Sequence, residues 1–397
     1  MNTKPLQGVR VIEFGTLIAG PFCARILAEF GAEVIKVESP EGGDPLRQWR
    51  KMHEGTSLWW YVQARNKQSV TLNLKHPDGV RIARELCASA DLVIENFRPG
   101  VMEKLGLGWD VLSAANPGLV MVRLSGFGQT GPMAQQPGFG AIGESMGGLR
   151  FVTGFPDRPP VKSGISIGDS IAGLWGAIGG LMALRHREVN GGAGQVVDVA
   201  LYEAVFAMME SLVPEYALGG AVRERTGNIM PGITPSNTHT TRDGEHVVIG
   251  GNGDAIYRRL MRAMGRDDLA DDPALAGNAG RSARASEIYA AIDAWVGAHD
   301  SAHVLAALSA AEVPATKVYS VADIFRDAQF AARGMLEEAS LPDGTEVRIP
   351  GVVPRLADTP GGTEWLGPRL GEHTESVLAS LGYTPEKRAA LREAGVL

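Results

Sequence analysis

The sequence predicts an α/β protein built on a doubly wound parallel sheet, with a second, smaller α+β domain. Three observations carry this. The chain has 397 residues, more than one ordinary core accommodates, so two domains are expected. Its 44% apolar and 21% charged composition is that of a soluble globular protein. And its first part repeats a strand–helix–strand pattern within about thirty residues, the signature of right-handed βαβ units.

The elements follow in order. Val9 to Phe14 is a short β-rich run, Gly15 to Pro21 a turn, and Phe22 to Phe30 a helix with Cys23, Ile26, Leu27 and Phe30 on one face. Gly31 ends that helix and Glu33 to Glu38 forms the next strand. Ser69 to Leu74 alternates like a strand, Pro77 to Ser89 like a helix, and Asp91 to Glu95 and Leu119 to Leu124 like buried strands. A long apolar helix covers Ile171 to Leu184, and Gly194 to Leu212 holds a strand and a helix. Periodicity is lost in the Gly-, Pro- and Arg-rich stretch from Gly219 to Pro235. A strand at Glu245 to Gly250 and helices at Ala255–Met264, Arg284–Ala298 and Ala302–Ala311 make the small α+β domain. The expected division is a large domain over 1–200, a linker over 201–225, the small domain over 226–325, and a C-terminal segment over 326–397 that returns to the large domain.

A formal net charge of −7 argues against a nucleic-acid-binding surface. Cys23 and Cys87 are too few for a disulfide framework, which fits a reducing compartment. Met1 to Arg10 has no apolar signal-peptide core. The apolar stretch Ile171 to Leu184 is too short and glycine-rich to span a bilayer and is expected to be buried. Together these place the protein in the cytoplasm, with neither a membrane nor a nucleic acid as partner.

Asp169 draws attention because it sits where the loop Gly164-Ile165-Ser166-Ile167-Gly168 enters the long apolar helix. A carboxylate there meets free backbone N–H groups and the positive end of the helix dipole, which should keep it ionised as a nucleophile requires. The plain alternative is a helix N-cap. Gly126-Phe127-Gly128-Gln129-Thr130-Gly131 fits a dinucleotide fingerprint by spacing, but Pro132 follows and no helix opens at the last glycine. His299 and His303 are four apart and could share a helix face, yet further ligands are lacking, so no metal site is expected. No Gly-x-Ser-x-Gly elbow occurs, and both cysteines fall on apolar helix faces. Two loops at strand ends, Gly42 to Arg47 and Glu95 to Gly100 with Lys104 beyond, combine charged, amide and aromatic groups that would suit a phosphate-bearing nucleotide.

Pro5-Leu6-x-Gly8, Ala19-Gly20-Pro21 and Gly31-Ala32-Glu33-Val34-Ile35-Lys36-Val37-Glu38 resemble the opening of class III CoA-transferases, the CaiB/BaiF family that includes formyl-CoA transferase. Arg65-Asn66-Lys67-Gln68-Ser69, Glu95 to Gly100, Gly126-Phe127-Gly128, Gly194-Gln195-x-Val197-Asp198-Val199 and Leu370-Gly371-Glu372-His373-Thr374 follow in family order, so the resemblance runs from about Pro5 to Leu397. It implies a Rossmann-like large domain, a small domain between its two parts, and two chains interlocked as a homodimer.

The resemblance also implies that Asp169 is the nucleophile, forming an aspartyl-acyl anhydride and then an aspartyl-CoA thioester. It implies a CoA site at Leu17 and Ile18, at Leu72 and Lys75, at Asn96, Phe97 and Lys104, and at Phe139, with CoA thioester as substrate and no permanently bound cofactor. Formyl-CoA transferase has arginine at Ser39, glutamine at Ile18 and tyrosine at Phe139, so formate–oxalate exchange does not follow. The related 2-methylacyl-CoA racemases need a histidine base where Phe139 stands, and phenylalanine holds no proton. A silent CoA-binding protein is a further alternative, against which the intact Gly168-Asp169 speaks. Ile229 to Asn237 and Gly250 to Asp254 resemble the branch that moves CoA from succinyl-CoA to dicarboxylates. Arg47, Arg223 and Arg225 are candidates by charge for a distal carboxylate, the plain alternative for each being a surface arginine.

Overall fold

The computed structural model describes residues 4–397; Met1 to Thr3, which open the stretch expected to lack a signal peptide, lie outside the described residues. The chain divides into two compact units, one of residues 1–149, 162–219 and 330–397, the other of 150–161 and 220–329.

The large unit is built on six parallel strands: β1 (Arg10–Glu13), β2 (Glu33–Glu38), β3 (Lys67–Thr71), β4 (Leu92–Glu95), β5 (Val120–Ser125) and β6 (Val196–Ala200). Their order across the sheet is β3-β2-β1-β4-β5-β6, the doubly wound arrangement. Strand parity explains why. Side chains alternate between faces, and both sets are apolar. Ile12, Ile35, Val93 and Met121 enter one core, whereas Val11, Val34, Ile94 and Val122 enter the other. A sheet apolar on both faces has to be covered on both.

The helices of this unit include α1 (Ala19–Glu29), α2 (Leu58–Gln63), α3 (Pro77–Ala88), α4 (Gly140–Met146), α5 (Ile167–Val189) and α6 (Leu201–Phe206), of which α1, α3, α5 and α6 line the two cores. Cys23 and Cys87 lie buried on α1 and α3. The chain's last part joins the same unit: Val377, Leu378, Leu391 and Val396 pack with Val70, Leu72 and Ile82, and the Asn73 N–H donates to the Val396 carbonyl at 2.8 Å. A two-stranded hairpin, Leu336–Ser340 with Glu346–Pro350, adds Leu341 and Ile349 to a small core around Trp60.

Helix α5 has 23 residues, longer than the sequence pattern suggested, because Arg185, His186, Arg187 and Glu188 continue it. By length and composition it could cross a membrane, so shortness is not what keeps it from doing so. It packs instead on α1, β5 and β6. Gly173 makes this possible, since a Cβ there would lie 2.8 Å from the Ala19 carbonyl oxygen.

In the second unit, β7 (Ser236–Thr240), β8 (His246–Gly250) and β9 (Ala315–Lys317) form an antiparallel sheet with β8 central. Helices α7 (Asp254–Ala263), α8 (Ala285–Gly297) and α9 (Ser301–Ala310) supply Tyr257, Leu260, Ile288, Ile292, Val304 and Leu308 to its core. His299 and His303 do not share a helix face: α8 ends at Gly297 and α9 begins at Ser301, and the two rings stack at 4.4 Å across that break.

Candidate active site

The switch point of the sheet lies between β1 and β4, where successive connections leave to opposite sides and a crevice opens at the carboxyl ends. The loop after β1 is fixed there almost atom by atom. The Thr16 N–H donates to Asn96 Oδ1 at 2.7 Å, and Asn96 Nδ2 returns a bond to the Thr16 carbonyl at 2.8 Å. Lys36 Nζ reaches the Gly15 carbonyl at 2.6 Å, and Gln63 Nε2 the Ile18 carbonyl at 3.0 Å. Leu17 holds a left-handed backbone, φ 64°, and its N–H donates to both oxygens of Asp44 at 3.0 and 3.2 Å. Such a conformation persists in a non-glycine residue only where its surroundings over-determine it.

Beneath this loop lies a group of buried charges. Lys36 Nζ pairs with Glu13 at 2.8 Å and Asp44 at 2.9 Å, and Lys67 Nζ pairs with Glu13 at 2.7 Å and donates to the Pro21 carbonyl at 2.7 Å. Burial by itself would lower the pKa of Lys36, but Asp44, Glu13 and Glu38 together raise it above the ordinary lysine value. Burial wins at Lys67, lowered to about 8 despite Glu13. Arg47 pairs with Glu38 through Nε and Nη2 at 2.9 and 2.8 Å, donates to the Pro368 carbonyl and stacks 3.7 Å over the Trp60 ring. The loop Gly42 to Arg47 therefore turns Asp44 and Arg47 inward rather than toward a nucleotide. Arg47 is neither a surface arginine nor open to a substrate carboxylate. In the second unit, Arg225 Nη1 donates to the Phe151 carbonyl at 2.8 Å, and Arg223 also has a partner.

Of the residues expected at a CoA site, Leu17, Ile18, Asn96 and Phe97 come together at the switch point. Ile18 is buried, the Asn96 amide is occupied by the Thr16 backbone, and the Phe97 N–H donates to Glu95 at 2.7 Å. Leu72 is buried in the core beneath α3, while Lys75 is exposed in the turn after β3 and Lys104 is exposed at the end of the short helix Val101–Lys104. Phe139 is 68% exposed at the N-cap of α4.

Asp169 is not the cap of its helix. Ser166 occupies that position and Asp169 is the third residue of α5. Its carboxylate lies against Gly140, where a Cβ would come within 2.0 Å of Oδ2. One turn further on, Gly173 abuts the start of α1, so the Asp169 turn borders the helix that the Leu17–Ile18 loop leads into. The helix terminus was expected to keep Asp169 ionised; against that influence, burial first and then the Glu144 carboxylate raise its pKa to about 6. It is still largely ionised at neutral pH. The result is a partly desolvated carboxylate, more basic than usual, in a niche that only glycine permits.

Sequence reasoning missed Glu144, Gly140 and the Lys36–Asp44 pair. The spacing of Gly140 and Glu144, one helical turn apart, was the available signal for the first two. Nothing local marks Lys36, in a strand of alternating charge and β-branched residues that reads as half-exposed.

Comparison with known proteins places the chain in a family. The family model described as CoA-transferase family III matches residues 6–374. The succinyl-CoA–D-citramalate CoA-transferase of Chloroflexus aurantiacus is 48% identical over 99% of this chain and 98% of its own. The succinyl-CoA–L-malate CoA-transferase beta subunit of the same organism is 45% identical over 100% and 99%. A CAIB/BAIF family protein from Brucella suis, solved by crystallography, superposes with a TM-score of 0.84 at 34% identity over 96% of this chain and all of that one. The chain belongs to CoA-transferase family III, and it is an enzyme of that transferase class.

Proposed function

From that membership we propose that the enzyme moves CoA from succinyl-CoA to a dicarboxylate acceptor, with Asp169 carrying the group. The observation behind this is the Asp169 carboxylate itself, set against Gly140 at the start of α5 and beside the switch-point loops. The donor and acceptor classes are those named for the citramalate and malate relatives.

In the first step an Asp169 oxygen attacks the thioester carbonyl carbon, the C–S bond breaks and CoA leaves as thiolate. The thiolate then attacks Asp169 Cγ in the mixed anhydride, releasing the donor carboxylate and leaving an aspartyl-CoA thioester. The acceptor carboxylate attacks the same carbon and expels thiolate, which finally attacks the acceptor's acyl carbon and frees Asp169. Every step exchanges one activated acyl bond for another, so water has to be kept out. Leu17, Ile18, Asn96 and Phe97 would flank the CoA chain at the switch point, and Phe139, lying next to Gly140, would shield the carboxylate. Racemisation would need a second proton-holding group at Phe139, which offers none.

We also propose that the working form is a homodimer, interlocked as in the family's known arrangement. Supporting this, Leu174, Trp175, Ile178, Leu181 and Met182 on α5 expose apolar side chains. Two free, buried cysteines fit a reducing compartment, and we place the enzyme in the cytoplasm.

Replacing Asp169 with Ala should abolish exchange between succinyl-CoA and dicarboxylates. Incubation of the parent enzyme with acyl-CoA should add the mass of CoA to the peptide bearing Asp169. Near-parental turnover in the variant would overturn the mechanism, and a panel of carboxylic acids assayed with succinyl-CoA would test the acceptor class.

A further inference from the structure

Glu144 has no place in the mechanism just described, yet it is a buried carboxylate lodged under the nucleophile's helix. It lies on α4 one turn after Gly140, so both residues present the same helix face to the first turn of α5. At Gly168 a Cβ would lie 2.9 Å from Glu144 Cγ and 3.1 Å from the Gly140 carbonyl oxygen, so the two helices meet here at closer range than any side chain at 168 would allow. Glu144 Oε1 accepts from the Gly168 N–H at 3.3 Å. That amide is one of the first-turn donors that no helical carbonyl can satisfy. Ser166, at the N-cap, makes no side-chain bond to that turn.

We propose that Glu144 is a positioning residue for the nucleophile: it caps the first turn of α5 from outside, through the Gly168 amide, and fixes the backbone from which Asp169 projects. The assignment rests on Asp169 being the nucleophile. A neutral hydrogen-bond acceptor would serve the capping role equally well, so the choice of a carboxylate has a second consequence. Its negative charge opposes ionisation of Asp169 and keeps the attacking oxygen more basic. The elements packed on α5 bring other charged groups: Arg25 and Glu29 on α1, Arg123 on β5, Asp198 on β6 and Glu203 on α6. After burial, the Glu144 charge is what raises the Asp169 pKa.

Two variants separate position from charge. Glu144→Gln keeps an acceptor for the Gly168 N–H and removes the charge. It should retain most of the plateau kcat and move the acid limb of the pH–rate profile, relative to the parent enzyme, to lower pH by roughly half to one pH unit. Glu144→Leu removes the acceptor as well and should lower kcat about tenfold to a hundredfold with little change in the KM for acyl-CoA. Circular dichroism and thermal melts establish that each variant is folded. A purely structural Glu144 would lower the melting temperature while leaving both the acid limb and kcat of the folded enzyme where they were, and that outcome overturns the proposal. Asp169→Asn, run alongside, isolates the premise. If it remains active, the nucleophile assignment has failed; if it is dead while both Glu144 variants behave like the parent, the Glu144 inference alone has failed.

Discussion

Gly140 leaves the Asp169 carboxylate the space it occupies, and this is where the chemistry is most sensitive to a single atom. Gly140→Ala places a methyl group within 2.0 Å of Asp169 Oδ2, so the carboxylate has to rotate away or α4 has to shift. We expect kcat to fall by about a hundredfold while the fold survives, measured by steady-state turnover beside a thermal melt. The acidity of Asp169 has two consequences of opposite sign. The attacking form is the carboxylate, so kcat should fall as pH drops through about 6. Stability runs the other way. Because the folded-state pKa lies above the unfolded one, the folded state binds this proton more tightly, and the group's contribution to stability declines as pH rises from about 4 to about 6. Asp169→Asn, neutral throughout, should therefore raise the melting temperature at pH 7 by roughly 1–4 °C while abolishing exchange. An unchanged or lowered melting temperature would contradict the burial argument.

At the scale of elements, the sheet was legible because β1, β4, β5 and β6 are short runs rich in β-branched and aliphatic residues, and β2 and β3, though they carry charged and polar residues, recur with them in the strand–helix–strand pattern. Other elements carried no such mark. Strand β7 reads Ser-Asn-Thr-His-Thr, with no aliphatic side chain, and exists because β8 pairs with it along its whole length. Helix α4 contains two glycines and forms by packing on α5 and α6 rather than by propensity. Buried charge is the other blind spot. Lys36, Asp44 and Arg47 looked like solvent or ligand groups because charged residues usually are, and only their mutual pairing in three dimensions makes burial tolerable. Of the site, Asp169 and the loops after β1 and β4 were visible in the sequence, whereas the devices that hold them were not. Removing one member of the group exposes its worth. Lys36→Met leaves the buried Asp44 without its cation and Glu13 with Lys67 alone, and should reduce unfolding free energy by about 3–5 kcal/mol in a denaturant titration. A loss below about 1 kcal/mol would show that the group is not tightly coupled.

For the whole molecule, the outward apolar side chains of α5 bear on the proposed association. Trp175→Glu puts a charge into that face and should weaken self-association at least about tenfold by sedimentation velocity, with transfer activity falling in parallel. An unaltered sedimentation profile would argue that this face is not the interface. A different consequence follows from the placement of Leu378, Leu391 and Val396 in the core beside Val70 and Leu72. On the ribosome the amino-terminal strands emerge first, but the segment that finishes their core comes last, after the whole second unit. At about 5–20 residues per second, the interval between Thr71 and Val396 is roughly 15–65 s. Throughout it the nascent sheet displays an open apolar flank, so this enzyme's exposure to aggregation is set by the speed of its own synthesis.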